Sequence, residues 1–79
     1  MSYDKLTREV AVVLHDEWKR FARSLLLWGG LGEVKANQYD RGLCPFEELE
    51  PYYRNTYTTQ ARDIVQLCTE YLEELEEET

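Results

Sequence analysis

Three side chains that could hold an anion follow one another at helical spacing near the start of the chain. His15, Lys19 and Arg23 are four residues apart, so a helix places them in one stripe. An arginine beside a histidine can donate charge-assisted hydrogen bonds to phosphate oxygens. Two other interpretations stay open. His15 can instead lie at the core edge and bond a backbone carbonyl, and Arg23 can pair with a distant carboxylate, that of Glu47 or Glu48.

Aromatic and basic residues further along the chain could bind a planar, charged ligand. Trp28 adjoins a Gly-Gly pair, which leaves its ring free either to cap a base or to cover the core. Tyr39 and Arg41 belong to residue types that are frequent at binding hot spots. Arg54 lies in the first turn of a predicted helix, where unpaired N–H groups favour anions.

We predict that these residues surround one ligand pocket. If the last helix packs antiparallel to the first, its start lies near the end of the first helix. The connection between the two helices must then return to the same place. The predicted ligand-binding residues are His15, Arg23, Trp28, Tyr39, Arg41 and Arg54.

The sequence contains no residue set that predicts catalysis or metal binding. The single histidine, His15, has no spacing relationship to Ser24 or Cys44 that would form a nucleophile–base pair. One histidine and two scattered cysteines also lack metal-ligand spacing. We therefore expect a protein that is not an enzyme and that uses no metal or cofactor. Two cysteines are too few for a disulfide framework, so we expect reduced thiols and a cytoplasmic protein.

The charge distribution limits the partners that we expect. The 79 residues carry a formal charge of −7, with a pI near 4.6, whereas nucleic-acid duplexes and anionic membranes attract cationic surfaces. Six of the 16 acidic residues fall within 69–79, where no basic residue occurs. This acidic tail predicts solubility, and the rest of the chain is nearly neutral. We expect no membrane span and no signal peptide, because no apolar run or charged-then-apolar leader is present.

Helical periodicity predicts two long amphipathic helices. The first is predicted over 8–27, capped by Thr7, with an apolar stripe that repeats at steps of three and four residues. The stripe consists of Val10, Leu14, Trp18, Phe21, Leu25 and Trp28. The last helix is predicted over 52–76, and its stripe begins at Tyr53 and Tyr57. No convincing alternation of a β-strand appears.

The connection between these helices is predicted to be a long loop over 29–44, which either is functional or contains a short element that the sequence does not resolve. Gly29 and Gly30 end the first helix, because paired glycines favour a left-handed exit. Pro45 then precedes a short helical turn, Phe46 to Leu49. The sequence therefore predicts a single all-α domain over 1–79, with two long helices, a long loop and a short helical turn, and with the acidic tail from about 69.

The order of several short motifs resembles the ryanodine receptor repeat domain, the RyR domain, over residues 6–72. The motifs are His15-x-x-Trp18, Trp28-Gly29, the segment 41–49 (RGLCPFEEL) and Arg54-Asn55. The resemblance implies a free-standing copy similar to the prokaryotic and phage versions. It also implies a small recognition module, proposed in some contexts to sense nucleotide-derived signals, and not a catalyst.

Two functions from different classes therefore stand as expectations. One is a module that binds an anionic, base-bearing small molecule such as a cyclic nucleotide second messenger, as a sensor or a sequestering protein. The other is a protein–protein interaction or assembly module without a small ligand. In either case we expect a homo-oligomer, because two amphipathic helices leave apolar area uncovered and tyrosine, which occurs six times, suits an interface.

Overall fold

The structure is a computed structural model that describes residues 3–78, and every regular element in that range is helical. Helix α1 spans Asp4–Trp28 and helix α2 spans Glu33–Arg41. A 3-10 turn at Phe46–Glu48 follows, and helix α3 spans Pro51–Glu78. The all-α class and the two long helices are confirmed. The terminal residues 1, 2 and 79 lie outside the described range.

Helix α1 begins earlier than the sequence predicts. Tyr3 occupies the N-cap position without a side-chain hydrogen bond, and Thr7 already lies within the helix, where its backbone N–H donates to the Tyr3 carbonyl at 2.8 Å. The prediction of Thr7 as the cap is therefore wrong. Gly29 ends the helix with φ of 75°, a left-handed conformation that glycine adopts at little cost.

The predicted long loop over 29–44 is wrong in its middle, because α2 forms there. Gly32 is extended and precedes α2, Glu33 lies in its first turn and Arg41 in its last turn. These two charges complement the helix dipole, which favours a short helix at this place. The apolar pattern of α2 is weak, and Val34 is 71% exposed, so helical periodicity alone does not reveal it.

The core between α1 and α3 is built from small side chains. Helix α1 packs mainly on α3 and makes a smaller contact with α2. The fully buried residues of α1 are Ala11, His15 and Ala22, and those of α3 include Ala61. Alanines let the two helix backbones approach closely. The buried face is therefore rotated from the stripe that the sequence predicts, in which Phe21 is 56% exposed.

The molecule is elongated. Its extents are 55 × 23 × 14 Å and its radius of gyration is 16.3 Å, whereas a compact chain of this length has a radius of about 12 Å. Within residues 3–78, the buried apolar side chains are few: Ala11, Ala22, Leu49, Ala61 and Val65. Much apolar surface therefore stays uncovered in the single chain.

Candidate functional site

His15 is the central side chain of the candidate site. Its ring is fully buried, and Nε2 donates a hydrogen bond to the Gly42 carbonyl at 2.9 Å. Because a carbonyl can only accept, Nε2 carries a proton. Nδ1 is buried without a hydrogen-bond partner. This side chain ties the middle of α1 to the end of α2, which is the core-edge interpretation that the sequence left open.

Aromatic rings surround His15 on several sides. The Trp18 ring stacks on it with centroids 6.2 Å apart, and the Tyr57 ring is tilted at 5.4 Å. The Phe46 ring of the 3-10 turn lies 6.1 Å away. Tyr39 of α2 meets Trp18 edge-on at 5.7 Å. This cluster joins all four helical elements of the described chain at one place.

Beside this cluster lies a partly open pocket with a volume of about 570 Å³. That volume falls within the range of small-molecule sites. Its aromatic wall is formed by Trp18, Tyr39, Tyr53 and Tyr57, and its polar lining by Gln38, Arg41, Glu48 and Glu50, with His15, Gly42 and Leu49 completing the surface. The pocket therefore combines stacking surfaces with one cation and two carboxylates.

Two features set the polar character of the pocket region. Burial raises the pKa of the Tyr57 phenol above its usual value, so Tyr57 stays neutral at physiological pH and can donate a hydrogen bond. Arg54 follows Tyr53 in the first turns of α3, and its Nε is buried without a hydrogen-bond partner. A buried donor without a partner favours an acceptor that a ligand could supply.

Of the predicted ligand-binding residues, His15, Tyr39 and Arg41 line this pocket. Arg54 follows the lining residue Tyr53 in sequence but does not itself line the pocket, so a ligand contact by Arg54 stays a prediction. Arg23 and Trp28 do not line it. Since Tyr57 lies beside His15, the start of α3 is level with about residue 21 of α1, and Trp28 lies roughly 10 Å farther along the axis. A ligand contact by Arg23 or Trp28 stays a prediction.

The three side chains of the predicted anion-binding stripe on α1 have different environments in the structure. His15 bonds the Gly42 carbonyl, Lys19 pairs with Asp16 at 3.1 Å, and Arg23 is exposed. Glu47, one of the carboxylates considered for Arg23, pairs instead with Arg8 across the surface between α1 and the 3-10 turn.

The sequence analysis missed several lining residues. Tyr53 was assigned to the core by its register, yet it is 52% exposed and faces the pocket. Glu48 and Glu50 carry no periodic signal, because Glu48 ends the 3-10 turn and Glu50 directly precedes α3. The four-residue spacing of Tyr53 and Tyr57 was the available signal, since it places both rings on one side of α3.

Comparison with known proteins gives no match among protein-family models, curated proteins or solved structures. Within residues 3–78, the structure places no group of three or more His, Cys, Asp or Glu side chains where it could hold a metal ion. No helix in that range has both the length and the apolar character needed to cross a membrane.

Replacing Gly42 with alanine should destabilise the fold. A Cβ atom at this position would lie 2.5 Å from the Trp18 ring, so the ring or the end of α2 must shift, and the His15 hydrogen bond to the Gly42 carbonyl shifts with it. We expect a loss of about 1–3 kcal/mol in the free energy of unfolding, measured by urea denaturation.

Gly32→Ala is the matched control for Gly42→Ala. A Cβ atom at Gly32 meets nothing within 4 Å, and the backbone φ of −66° suits alanine. We expect this variant to unfold nearly as the original chain does. Equal stability of the two variants would show that the close approach of Gly42 to Trp18 is not required.

Proposed function

We propose that the chain is a small non-catalytic recognition module that binds an anionic, base-bearing molecule, such as a cyclic nucleotide, in the pocket beside His15. The observation that carries this proposal is the lining itself, which joins four aromatic rings to an arginine and two carboxylates in about 570 Å³. Small-molecule sites have this composition: mostly apolar and aromatic walls with a few polar groups that fix orientation.

Each part of the lining has a counterpart in such a ligand. A base stacks on Trp18 or Tyr39, and stacking on an aromatic side chain is worth about 1–3 kcal/mol in nucleic-acid systems. The Arg41 guanidinium donates to phosphate oxygens, and the carboxylates of Glu48 and Glu50 accept from N–H groups on the base edge. His15 acts as a positioning residue, because its Nε2 is already used by Gly42.

The resemblance to the RyR domain supports the same proposal. Residues that carry the resemblance lie around the pocket: His15, Trp18 and Leu49 line it, and Phe46 contacts the His15 ring. A cytoplasmic location is part of the proposal, because Cys44 and Cys68 are both free thiols and reduced cysteines are usual in that compartment.

A ligand-screened thermal melt tests the proposal. The intact chain is melted with cyclic mono-, di- and trinucleotides, each at a concentration well above the micromolar range. A ligand at 100 times its Kd stabilises the folded state by about 2.7 kcal/mol, which is a shift of several degrees for a domain of this size. No shift with any member of the panel would overturn the nucleotide proposal.

The variants Arg41→Ala and Arg54→Ala test whether the ligand binds in this pocket. Loss of a charge-assisted hydrogen bond, about 1.5–3 kcal/mol, should weaken binding of the nucleotide that shifts the melt by roughly ten- to a hundredfold. Titration calorimetry measures this change. Arg20→Ala is the control, since Arg20 is exposed and pairs only with Glu17 on the surface of α1. Equal affinity in all three variants would remove the ligand from this pocket.

A second candidate function, a protein–protein assembly module, is favoured by a different surface. Large apolar side chains along the second half of α3 are exposed, including Leu67 and Leu72. A protein that melts without response to the nucleotide panel, yet assembles, would have this function instead.

A further inference from the structure

Helix α3 extends past the start of α1. Because the Tyr57 and His15 rings meet with centroids 5.4 Å apart, the antiparallel register places Asp4, the first residue of α1, level with about residue 68. Residues 69–78 therefore project roughly 15 Å beyond Asp4. This part of α3 has no helix of the described chain against which to pack.

An uncovered apolar face runs along this half of α3. It consists of Ile64, Leu67, Cys68, Tyr71, Leu72 and Leu75, all of which are exposed. Their successive spacings are three, one, three, one and three residues, and this series is the same when it is read in either direction. The face is therefore symmetric about the point between Thr69 and Glu70.

We propose that this apolar face binds a second copy of the chain, with the two α3 helices antiparallel and the two-fold axis between Thr69 and Glu70. The symmetric spacing lets an antiparallel second copy align an apolar residue with each apolar residue of the face, and a two-fold interface uses the same patch on both subunits. Ile64 then lies opposite Leu75 of the second copy, and Leu67 lies opposite Leu72 of the second copy.

The charges of α3 favour the antiparallel arrangement. A parallel pair would bring together the six glutamates that each copy carries within 69–79, and like charges at close range repel. The antiparallel pair separates the two acidic ends. It lays each acidic end beside residues 61–69 of the second copy, which carry one basic and one acidic residue and are therefore neutral overall.

A neighbouring groove on α1 continues the same surface. It has a volume of about 440 Å³ and is lined by Glu9 and by apolar side chains of both long helices: Leu6, Val10, Val13, Leu14 and Ile64. Ile64 belongs to the groove and to the apolar face of α3. The projecting end of the second copy's α3 would therefore cover the groove, and the two copies would form a four-helix layer from their α1 and α3 helices.

Disulfide mapping tests the orientation. In a background with Cys44→Ser and Cys68→Ser, two single variants, Ile64→Cys and Leu75→Cys, are made. They are mixed under reducing conditions and then oxidised. We expect a cross-linked dimer that contains one copy of each variant, and little cross-linking when either variant is oxidised alone. Cross-linking within each separate variant, in place of the mixed dimer, would show a parallel pair and overturn the proposal.

Light scattering on the unmodified chain tests the interface itself. At tens of micromolar we expect a dimer mass, and Leu67→Glu should weaken dimerisation at least tenfold. Val34→Glu is the matched control, because Val34 is as exposed as Leu67, at 71% against 68%, but lies on α2. It should leave the mass unchanged. A monomer mass for the original chain, or equal effects of both variants, would overturn the proposal.

Discussion

Replacing His15 with alanine is expected to lower the free energy of unfolding by about 3–4 kcal/mol. The variant loses a fully buried ring and leaves a cavity. It also leaves the Gly42 carbonyl without its side-chain donor, which adds a desolvation cost. A small domain has little more stability than this in total, so most of the variant should be unfolded at 37 °C. Urea denaturation followed by circular dichroism, at one protein concentration, measures the change.

Two further variants separate the hydrogen bond from the volume of the His15 ring. His15→Gln keeps an N–H donor at nearly the position of Nε2 and should recover part of the loss. Glu17→Ala, on the exposed side of the same helix, removes only a surface ion pair with Arg20 and should cost less than about 1 kcal/mol. If His15→Ala were as stable as Glu17→Ala, His15 would not hold the core together.

The second large effect is expected for Trp18→Ala, at about 2–4 kcal/mol of unfolding free energy. Trp18 is half-buried, and its ring contacts the rings of His15 and Tyr39. The Gly42 backbone lies so close to the Trp18 ring that a Cβ atom at position 42 would not fit. Removal of the Trp18 ring would therefore loosen α1 from α2 as well as open the pocket. The same denaturation experiment measures it.

Trp28→Ala is the natural control for Trp18→Ala, because the chain has only these two tryptophans and Trp28 is 74% exposed. We expect Trp28→Ala to change stability by no more than about 0.5 kcal/mol. A larger loss for Trp28→Ala than for Trp18→Ala would contradict the packing described here.

Periodicity predicted the long helices because it reports where apolar residues repeat along a chain. It did not predict which side of α1 is buried. Hydrophobicity selects large side chains such as Phe21, whereas two closely packed helices need small ones such as Ala11 at their contact. Helix α2 was missed for a related reason: its stability depends on its charged ends and on Tyr39 packing against Trp18, and not on an apolar stripe.

The sequence brought three of the six candidate residues to one place in the fold, while their role in ligand binding stays a prediction. His15, Tyr39 and Arg41 line one pocket, but the sequence analysis placed that pocket too close to the end of α1. The prediction assumed that α3 begins beside the end of α1. Because the connection contains α2 and the 3-10 turn, α3 instead begins about two turns before the end of α1, and the aromatic wall is completed by Tyr53 and Tyr57.

Helix α1 packs on α3, although α2 and the 3-10 turn separate the two helices in sequence. This separation affects the rate of folding. The His15 hydrogen bond spans 27 residues, and the contact between His15 and Tyr57 spans still more of the chain. Helices form within about a microsecond, but contacts between distant residues require a long loop to close first. We therefore expect the docking of α3 on α1 to limit the rate of folding. This chain should fold more slowly than a helical hairpin of equal length, whose contacts are more local.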